Sequence, residues 1–425
     1  MATFLDRSRC VAPPDYDRWL VPPAALAIHL SIGQAYAFSV FNLPLTRLIG
    51  VTSSAPGDWK LTTVGWIFST AIVFLGLSAF TFGRWLEDAG PRKAMFAAAC
   101  CFGGGFLIAA LGVRLHEIWV VYLGYGVVGG IGLGLGYISP VSTLIKWFPD
   151  RPGMATGLAI MGFGGGAMIG SPLAVALMDH FRTPTDTGVS AAFAVMGAAY
   201  FLFMMFGVLT VRLPAPGWMP PSFTGRRLRA DAPAAPFVGT PAGRSDAQRR
   251  PMVKDVHVDR ALRTPQFWLL WAVLCLNVTA GIGVLGQASP MIQEMFPIII
   301  TPAAAAGFVG LLSLANMAGR FVWSSTSDHI GRRRTYMLFF ALGAALYAAV
   351  PSTGHTGNVV GFVAAYAVIM SMYGGGFATI PAYLRDLFGV MHVGAIHGRL
   401  LTAWSVAGVA GPVLVNYIRE YQIAH

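Results

Sequence analysis

Arg320 is the residue whose chemistry is hardest to reconcile with its surroundings in this sequence. It stands inside a long apolar run, where Ser313, Asn316, Ser324 and Ser327 share its helix face at steps of three or four residues. A guanidinium presents a planar fork of donors that matches a carboxylate. All 18 Asp and Glu residues fall in predicted loops or at helix ends, so the pattern predicts a bound substrate anion beside Arg320. The alternative is that Arg320 extends along the helix to reach the membrane surface.

Other polar side chains inside the apolar runs are weaker candidates for the same site. Their hydroxyls and amides orient an anion or hydrogen-bond to neighbouring helices, and the sequence leaves both options open. The positions are Gln34, Tyr36, Tyr137, Asn277, Gln287 and Tyr373. His29 also lies within an apolar run. Because imidazole titrates near neutral pH, His29 is a candidate proton site, with a purely structural role as the alternative.

The composition defines the solvent in which these residues must be placed. Of 425 residues, 55% are hydrophobic and 11% are charged, and the mean hydropathy is +0.62. Soluble domains carry about 25% charged residues, so this chain is predicted to lie in a membrane, and soluble, disordered, collagen-like and disulfide-scaffold classes are excluded. The net charge of +11 then indicates basic cytoplasmic loops rather than nucleic-acid binding. The four cysteines form no C-x-x-C pair, and no metal site or cofactor is expected.

Apolar runs bounded by charges or turn residues predict eleven membrane-spanning helices. Their limits are 20–44, 61–83, 94–113, 117–145, 153–178, 190–211, 266–290, 303–326, 335–352, 357–384 and 394–419. Residues 212–265 are rich in Pro, Ala and Arg and show no apolar period, which predicts a water-exposed linker. The predicted organisation is a tail (1–18), an N-terminal six-helix bundle (19–211), the linker (212–265) and a C-terminal bundle with five helices (266–425).

Lys and Arg are distributed unequally between the two sides of these spans. If the N-terminus is cytoplasmic, 22 of the 29 basic residues lie in inner segments and 5 in outer ones. Omission of the long linker leaves 12 against 5. Because cytoplasmic loops carry such an excess, the N-terminus and the linker are predicted to be cytoplasmic, in a multi-pass protein of the inner membrane.

The two halves of the sequence match at a constant offset of 241 residues. The matched pairs are Glu87/Asp328, Gly90/Gly331, Arg92/Arg333, Lys93/Arg334, Gly134/Gly375, Pro140/Pro381, Gly153/Gly394, Gly157/Gly398 and Gly170/Gly411. A register held over about 80 residues predicts a duplicated bundle, which is a recurrent architecture of secondary transporters. The repeat also predicts a further helix at 431–452, beyond His425, so eleven of twelve spans are expected in this chain.

Two of the matched segments are loops with the same order of charges. Segment 83–93 (GRWLEDAGPRK) follows the second predicted helix, and segment 324–334 (SSTSDHIGRRR) follows the eighth. Each places a carboxylate at the end of a helix, then a turn glycine and a basic cluster. The pattern predicts a gate in which Glu87, Arg92, Asp328 and Arg332 hold the cytoplasmic side closed. A simple basic turn is the alternative.

These two loops resemble the loop motif of the major facilitator superfamily, G-x-x-x-D-x-x-G-R-[KR]. Glu87 stands in place of the acid, Pro91 in place of the first basic residue and Ser324 in place of a glycine. Four further segments resemble the oxalate/formate antiporter branch, which borders the monocarboxylate transporters. They are 146–153 (KWFPDRPG), 267–271 (FWLLW), 286–291 (GQASPM) and 402–408 (TAWSVAG).

The resemblance implies an all-α membrane protein with the two-bundle, six-plus-six-helix fold of that superfamily, the twelfth span missing at the C-terminus. It also implies that Arg320, on helix eight, is the substrate-binding charge. In the oxalate transporter, helix eleven carries a lysine where this chain has Trp404. Two cations suit a dicarboxylate, whereas one cation beside an indole suits a monocarboxylate. Trp404 therefore favours a monocarboxylate substrate over oxalate. The alternative is that Trp404 only packs against lipid.

Together these patterns predict a secondary transporter of small monocarboxylate anions, such as formate, lactate or pyruvate, acting by alternating access as an anion exchanger or a proton symporter. An oxalate/formate-type dicarboxylate antiporter and a non-transporting sensor are the alternatives. No H-E-x-x-H, paired acids or nucleotide loop indicates an enzyme. The expected partners are the anion, protons and the lipid bilayer, with no cofactor, metal or nucleic acid, and a monomer is expected.

Overall fold

The chain folds almost entirely into helices. The computed structural model describes residues 4–220 and 255–424, in which β pairing is limited to two isolated bridges. The long helices are α1 (Arg18–Leu45), α2 (Leu61–Ala89), α3 (Pro91–Arg114), α4 (Ile118–Trp147), α5 (Pro152–Phe181), α6 (Val189–Thr210), α7 (Pro265–Met295), α8 (Pro302–Ile330), α9 (Arg332–His355), α10 (Val359–Phe388) and α11 (Val393–Leu400 with Thr402–Ala424). Each coincides with one of the spans predicted from hydropathy, and the main differences are a few residues at the helix ends.

The outer surface of the bundle is apolar. Within the described ranges, nine helices are long and apolar enough to cross a membrane, namely α1 to α7, α9 and α10. Leu202, Leu276 and Val360 are all about 70% exposed or more. Water-soluble proteins rarely expose large apolar patches, so this surface fits a hydrocarbon solvent. The protein is therefore an all-α membrane protein, as the composition predicts.

Three of the long helices are interrupted. Gly33–Phe41 in α1 is a 3-10 segment, Tyr122–Gly129 in α4 is a π-helix, and α11 breaks at Leu401. Departures of this kind inside a helix often lie at functional positions. The 3-10 segment carries Tyr36, and the break in α11 comes three residues before Trp404, so two interruptions coincide with residues predicted to bind the anion.

The internal repeat extends to the helix boundaries. Both ends of α2, α3 and α4 recur 241 residues later as the ends of α8, α9 and α10. Examples are Leu61/Pro302, Ala89/Ile330, Arg114/His355 and Trp147/Phe388. Gly90 and Gly331, which follow α2 and α8, have φ angles of 87° and 91°. Glycine alone adopts this region at no steric cost, so the same turn is built twice.

Close helix contacts join the N-terminal half (α1–α6) to the C-terminal half (α7–α11). Where α5 crosses α8, a Cβ atom added to Gly157 would lie 2.6 Å from the carbonyl oxygen of Arg320. A Cβ atom on Gly164 would lie 3.1 Å from the Cα of Met317. Small residues at such crossings allow the two backbones to approach. The α5–α8 crossing therefore brings the middle of the N-terminal half directly against Arg320.

The loops that follow α2 and α8 lie at the same end of the bundle, here called the motif face. The beginnings of α5 and α11 lie there too, because Asp328 bonds to Gly153 and Glu87 bonds to Gly394. The other end is called the opposite face.

Candidate substrate-binding site

Arg320 is fully buried in the middle of α8. Its Nε donates a hydrogen bond of 2.8 Å to Oδ1 of Asn316, one turn earlier. In the described part of the chain, Nη1 and Nη2 have no hydrogen-bond partner. The guanidinium therefore does not reach the surface of the bundle, and it retains donors for a ligand.

Aromatic rings surround the guanidinium. Arg320 Cζ lies 5.5 Å from the ring centroid of Phe377, 5.7 Å from that of Phe163 and 6.0 Å from that of Tyr36. A ring face attracts a cation at distances up to about 6 Å. These contacts stabilise the charge without supplying a counter-ion, so the positive charge of Arg320 is enclosed and not neutralised by these rings.

Trp404 packs into the same enclosure from α11. Its ring lies 4.4 Å from Phe377 and 5.3 Å from Tyr137 by centroids, and the side chain is fully buried rather than exposed to lipid. Within residues 4–220 and 255–424, Trp404 Nε1 and the Tyr137 hydroxyl are also without a hydrogen-bond partner. A buried donor left unpaired costs about 1–3 kcal/mol. The enclosure thus holds several donors that the oxygens of an anion would satisfy.

A cavity of about 260 Å³ lies between this enclosure and the opposite face. Its lining comes from α1, α2, α5, α7 and α8 and includes Tyr36, Ser313 and Asn316. The hydroxyl oxygens of Tyr36 and Tyr373 lie 3.3 Å apart and join α1 to α10 across the two halves. Arg320 is not part of the lining, whereas Tyr36, whose ring lies 6.0 Å from the Cζ of Arg320, borders both the cavity and the enclosure.

The polar stripe predicted on α8 has two different surroundings. Ser313 and Asn316 line the cavity. Ser324 and Ser327 are buried where α8 meets α5, and their hydroxyls donate to carbonyl oxygens of their own helix. Of the five residues of the stripe, only Ser313 and Asn316, on its opposite-face side, therefore line this cavity.

The remaining predicted anion ligands are placed differently. Gln34 lies inside the N-terminal half, where its Oε1 accepts a hydrogen bond of 3.1 Å from the hydroxyl of Tyr125. Asn277 on α7 lies beside Gly376 of α10. The side chain of Gln287 lies outside the described residues. Of the predicted set, the structure thus gathers Arg320 with the buried aromatic residues and leaves Gln34 apart.

His29 and a second buried histidine, His397, pack against Tyr137. Their ring centroids lie 5.4 Å and 5.8 Å from that of Tyr137. His29 Nε2 lies 3.3 Å from the carbonyl oxygen of Tyr137. Sequence reasoning missed His397, since the residue stands near the beginning of its helix. It precedes Trp404 by seven residues, but α11 breaks at Leu401 between them, so helical spacing did not reveal that both pack against Tyr137.

Asp328 and Glu87 each join the two halves at the motif face. The two carboxylate oxygens of Asp328 accept 2.8 Å hydrogen bonds from the backbone N–H groups of Gly153 and Met154. Glu87 Oε1 accepts one of 3.1 Å from the N–H of Gly394. A carboxylate from one half thus caps a helix of the other half, twice and at positions 241 residues apart. These contacts are called the cross-half caps, and they join the two halves at the motif face.

The basic partners of the two acids differ. Arg332 pairs with Asp328 at 2.6 Å and with Asp386 at 3.1 Å. Glu87 pairs instead with Lys146 of α4, at 2.6 Å. Three of the four residues predicted for the gate therefore form ion pairs at the motif face, in two separate clusters, and one cluster includes a lysine that the motif does not contain.

Arg92 departs from the predicted arrangement. Its guanidinium donates to the carbonyl oxygens of Phe4, Arg9 and Val211, and no acid pairs with it in the described ranges. The repeat explains the difference, since the residue that matches Arg332 is Pro91, which carries no charge. Arg92 therefore ties the N-terminal tail to the end of α6 rather than holding the two halves together.

Once the fold and this site are compared with known proteins, the class of the chain is clear. The sequence profile of the Major Facilitator Superfamily matches residues 17–412, and the chain belongs to that family. The fold is shared with solved members at low identity. A crystal structure of the transporter FucP in the outward conformation superposes with a TM-score of 0.59 and 13% identity, over 95% of this chain and 93% of that one.

Three relatives indicate the branch of the superfamily that this chain resembles. The oxalate:formate antiporter of Oxalobacter formigenes is 25% identical over 93% of this chain and 83% of its own length. The apicoplast pyruvate carrier 1 of Toxoplasma gondii is 25% identical over 81% and 68%. Human monocarboxylate transporter 11 is 24% identical over 96% and 78%. The resemblance to the oxalate/formate and monocarboxylate branch is thereby confirmed.

Proposed function

We propose that this protein is a secondary active transporter of small monocarboxylate anions of the formate, lactate or pyruvate type. The observation that carries the proposal is the buried guanidinium of Arg320, whose Nη1 and Nη2 are unpaired among the described residues, one helical turn from Asn316 in the cavity wall. A fork of two N–H donors matches one carboxylate. The surrounding rings of Phe163, Phe377 and Trp404 favour a small apolar remainder on the anion.

The charge of the enclosure supports one carboxylate rather than two. Trp404 contributes an indole where a second cation would balance a dicarboxylate. An oxalate/formate-type dicarboxylate antiporter remains the second candidate function, because a relative with 25% identity is an oxalate:formate antiporter. A non-transporting sensor is the third, and a direct flux measurement separates it from both.

We further propose that the motif face is cytoplasmic, as the distribution of basic residues predicts. The cavity then opens toward the outside, and the cross-half caps hold the inner side closed. Transport by alternating access requires the two halves, 19–211 and 266–425, to rock as separate bundles joined by the linker 212–265. The protein would act as a monomer in the inner membrane, as an exchanger or as a proton symporter.

Proteoliposomes loaded with unlabelled pyruvate, lactate, formate or oxalate test the proposal by uptake of the ¹⁴C-labelled anion. The wild type should exchange a monocarboxylate faster than oxalate. Arg320→Gln should slow exchange at least about 100-fold, since a charge-assisted bidentate pair contributes about 3 kcal/mol. Arg320→Lys keeps the charge without the fork and should recover only part of the rate.

Arg399→Gln is the matched control, because Arg399 pairs with Asp259 at 2.9 Å away from the enclosure. Its exchange rate should stay close to that of the wild type. Normal exchange by Arg320→Gln would remove Arg320 from the binding site. Faster exchange of oxalate than of any monocarboxylate would favour the antiporter candidate instead.

A further inference from the structure

Two buried imidazoles share one aromatic neighbour beside the anion enclosure. His29 comes from α1 and His397 from α11, so the pair spans the two halves, with Tyr137 of α4 against both rings. Both side chains are almost fully buried, at 0% and 2% exposure. Packing alone does not require two imidazoles here, because any apolar ring of this size fills the same space without burying polar nitrogens.

The contact of His29 with a backbone carbonyl favours one tautomer. A backbone carbonyl oxygen only accepts, so the Nε2 atom that faces the carbonyl of Tyr137 carries the hydrogen. The lone pair of a neutral imidazole is then on Nδ1. In the described ranges, Nδ1 of His29 has no hydrogen-bond partner, and neither has Nδ1 of His397. At least one buried lone pair is thus available to a proton.

The electrostatic surroundings decide when a proton binds there. Tyr137 packs against both imidazoles, and Arg320 faces His29. Tyr36 and Tyr373 face Arg320 and Tyr137, and Glu87 with its partner Lys146 lies beyond Gly394, one turn from His397. Arg320 acts on His29 electrostatically, and His29 acts on His397. In a low dielectric, a second positive charge beside Arg320 is strongly unfavourable.

An anion on Arg320 removes this repulsion. Once a carboxylate pairs with the guanidinium, the enclosure has no net charge and a proton binds the imidazoles more readily. Linkage is reciprocal, so the proton raises the affinity for the anion by the same factor. Anion and proton thus favour each other's binding through the imidazoles, whereas acidic side chains within the spans are common proton carriers in membrane transporters.

We propose that His29 and His397 form a proton-binding site that is loaded together with the anion, so that the protein is a proton symporter rather than an anion exchanger. The inference rests on the proposed anion-transport function and deepens it by naming the coupled ion. The proton enters on Nδ1 of an imidazole when the anion binds, and it leaves to water on the other side when the anion dissociates. No covalent bond of the anion forms or breaks.

The test uses the full-length protein in proteoliposomes with ¹⁴C-pyruvate in two assays. Counterflow at equal pH on both sides reports anion binding and movement of the halves. Accumulation driven by a pH gradient, with about pH 5.5 outside and 7.5 inside, reports coupling. Protein-free vesicles correct for diffusion of the undissociated acid.

The diagnostic variant is H29Q/H397Q. A glutamine amide at position 29 preserves an N–H donor for the Tyr137 carbonyl but does not titrate. We expect pH-driven accumulation to fall at least about twentyfold, while counterflow falls by less than about fivefold. H180Q is the matched control, because His180 is exposed at the end of α5, and it should behave as the wild type in both assays.

A second measurement covers the case in which the double variant does not fold. Pyruvate added to purified, weakly buffered wild-type protein should cause proton uptake, read with a pH dye, and H29Q or H397Q alone should take up fewer protons. Wild-type counterflow without pH-driven accumulation would overturn symport but leave the transport proposal intact. Unimpaired accumulation by H29Q/H397Q would exclude the histidines as the proton site. Absence of wild-type counterflow would overturn both proposals.

Discussion

Replacement of Asp328 by asparagine should release the motif face from its closed state. The two carboxylate oxygens of Asp328 accept hydrogen bonds from Gly153 and Met154 of the other half, and these contacts are lost when the halves separate. The ion pair with Arg332 lies within one half and is kept in both states. Among the contacts of Asp328, only the two hydrogen bonds to Gly153 and Met154 therefore differ between the closed and open motif face.

The size of the effect follows from these two bonds. Hydrogen bonds to a charged group contribute about 1.5–3 kcal/mol each, and a neutral asparagine oxygen retains one weaker bond. The expected loss is about 2 kcal/mol, which changes the ratio of closed to open protein about 30-fold. Glu87→Gln removes the charge from a single N–H bond and should have a smaller effect. The double variant should show the sum, because the two caps share no partner.

The assay is the distance between nitroxide labels at Lys93 and Arg334, measured by double electron–electron resonance. Both side chains are exposed at equivalent places in the two loops of the motif face. The four free cysteines are first replaced. Asp328→Asn should add a population at longer distance, and Asp179→Asn, an exposed acid near the opposite face, should not. An unchanged distance distribution in Asp328→Asn would refute the role assigned to the cross-half caps.

Three further predictions concern other parts of the bundle. Trp404→Lys adds a second cation to the enclosure and should shift preference from pyruvate toward oxalate by about tenfold, as measured by competition in counterflow. Gly157→Ala places a methyl group against the backbone of α8 and should lengthen the nitroxide distance at the motif face, whereas Gly104→Ala, with nothing within 4 Å, should not. Burial raises the pKa of Asp58, but three backbone N–H donors in the α1–α2 loop outweigh it, so the pKa lies below its ordinary value. The stabilisation by Asp58 is thus present above the ordinary carboxyl pKa, and it is lost as the pH falls through the lowered pKa of the folded state. Hydrogen exchange in this loop should therefore accelerate over that pH range in the wild type. It should not do so in Asp58→Ala.

Features that depend on local pattern were predictable from the sequence. Hydropathy placed the helices because each span must satisfy its own backbone groups in lipid. Spacing along α8 identified Arg320 as the charge that needs an explanation. The constant offset predicted the duplicated turns at Gly90 and Gly331, whose φ angles agree within a few degrees.

Features that depend on how helices cross were not predictable in the same way. The meeting of His397 with His29 requires the relative placement of α1, α4 and α11, which no single helix encodes. The partners of Arg92 come from the tail and the end of α6, distant in sequence and without an apolar period. The division of the polar stripe on α8 into a cavity wall and a packed contact depends on which helices surround α8 at each level.

The donors of the cross-half caps are main-chain N–H groups of Gly153, Met154 and Gly394. Exchange of a side chain does not delete such a donor unless proline is introduced. Substitution at the donor positions is therefore limited by the size of the side chain and by the exclusion of proline. The acids, in contrast, must keep both their charge and the length of their side chains. Divergent homologues can thus retain these contacts between the halves without sequence identity at the donor positions, because the donors belong to the main chain.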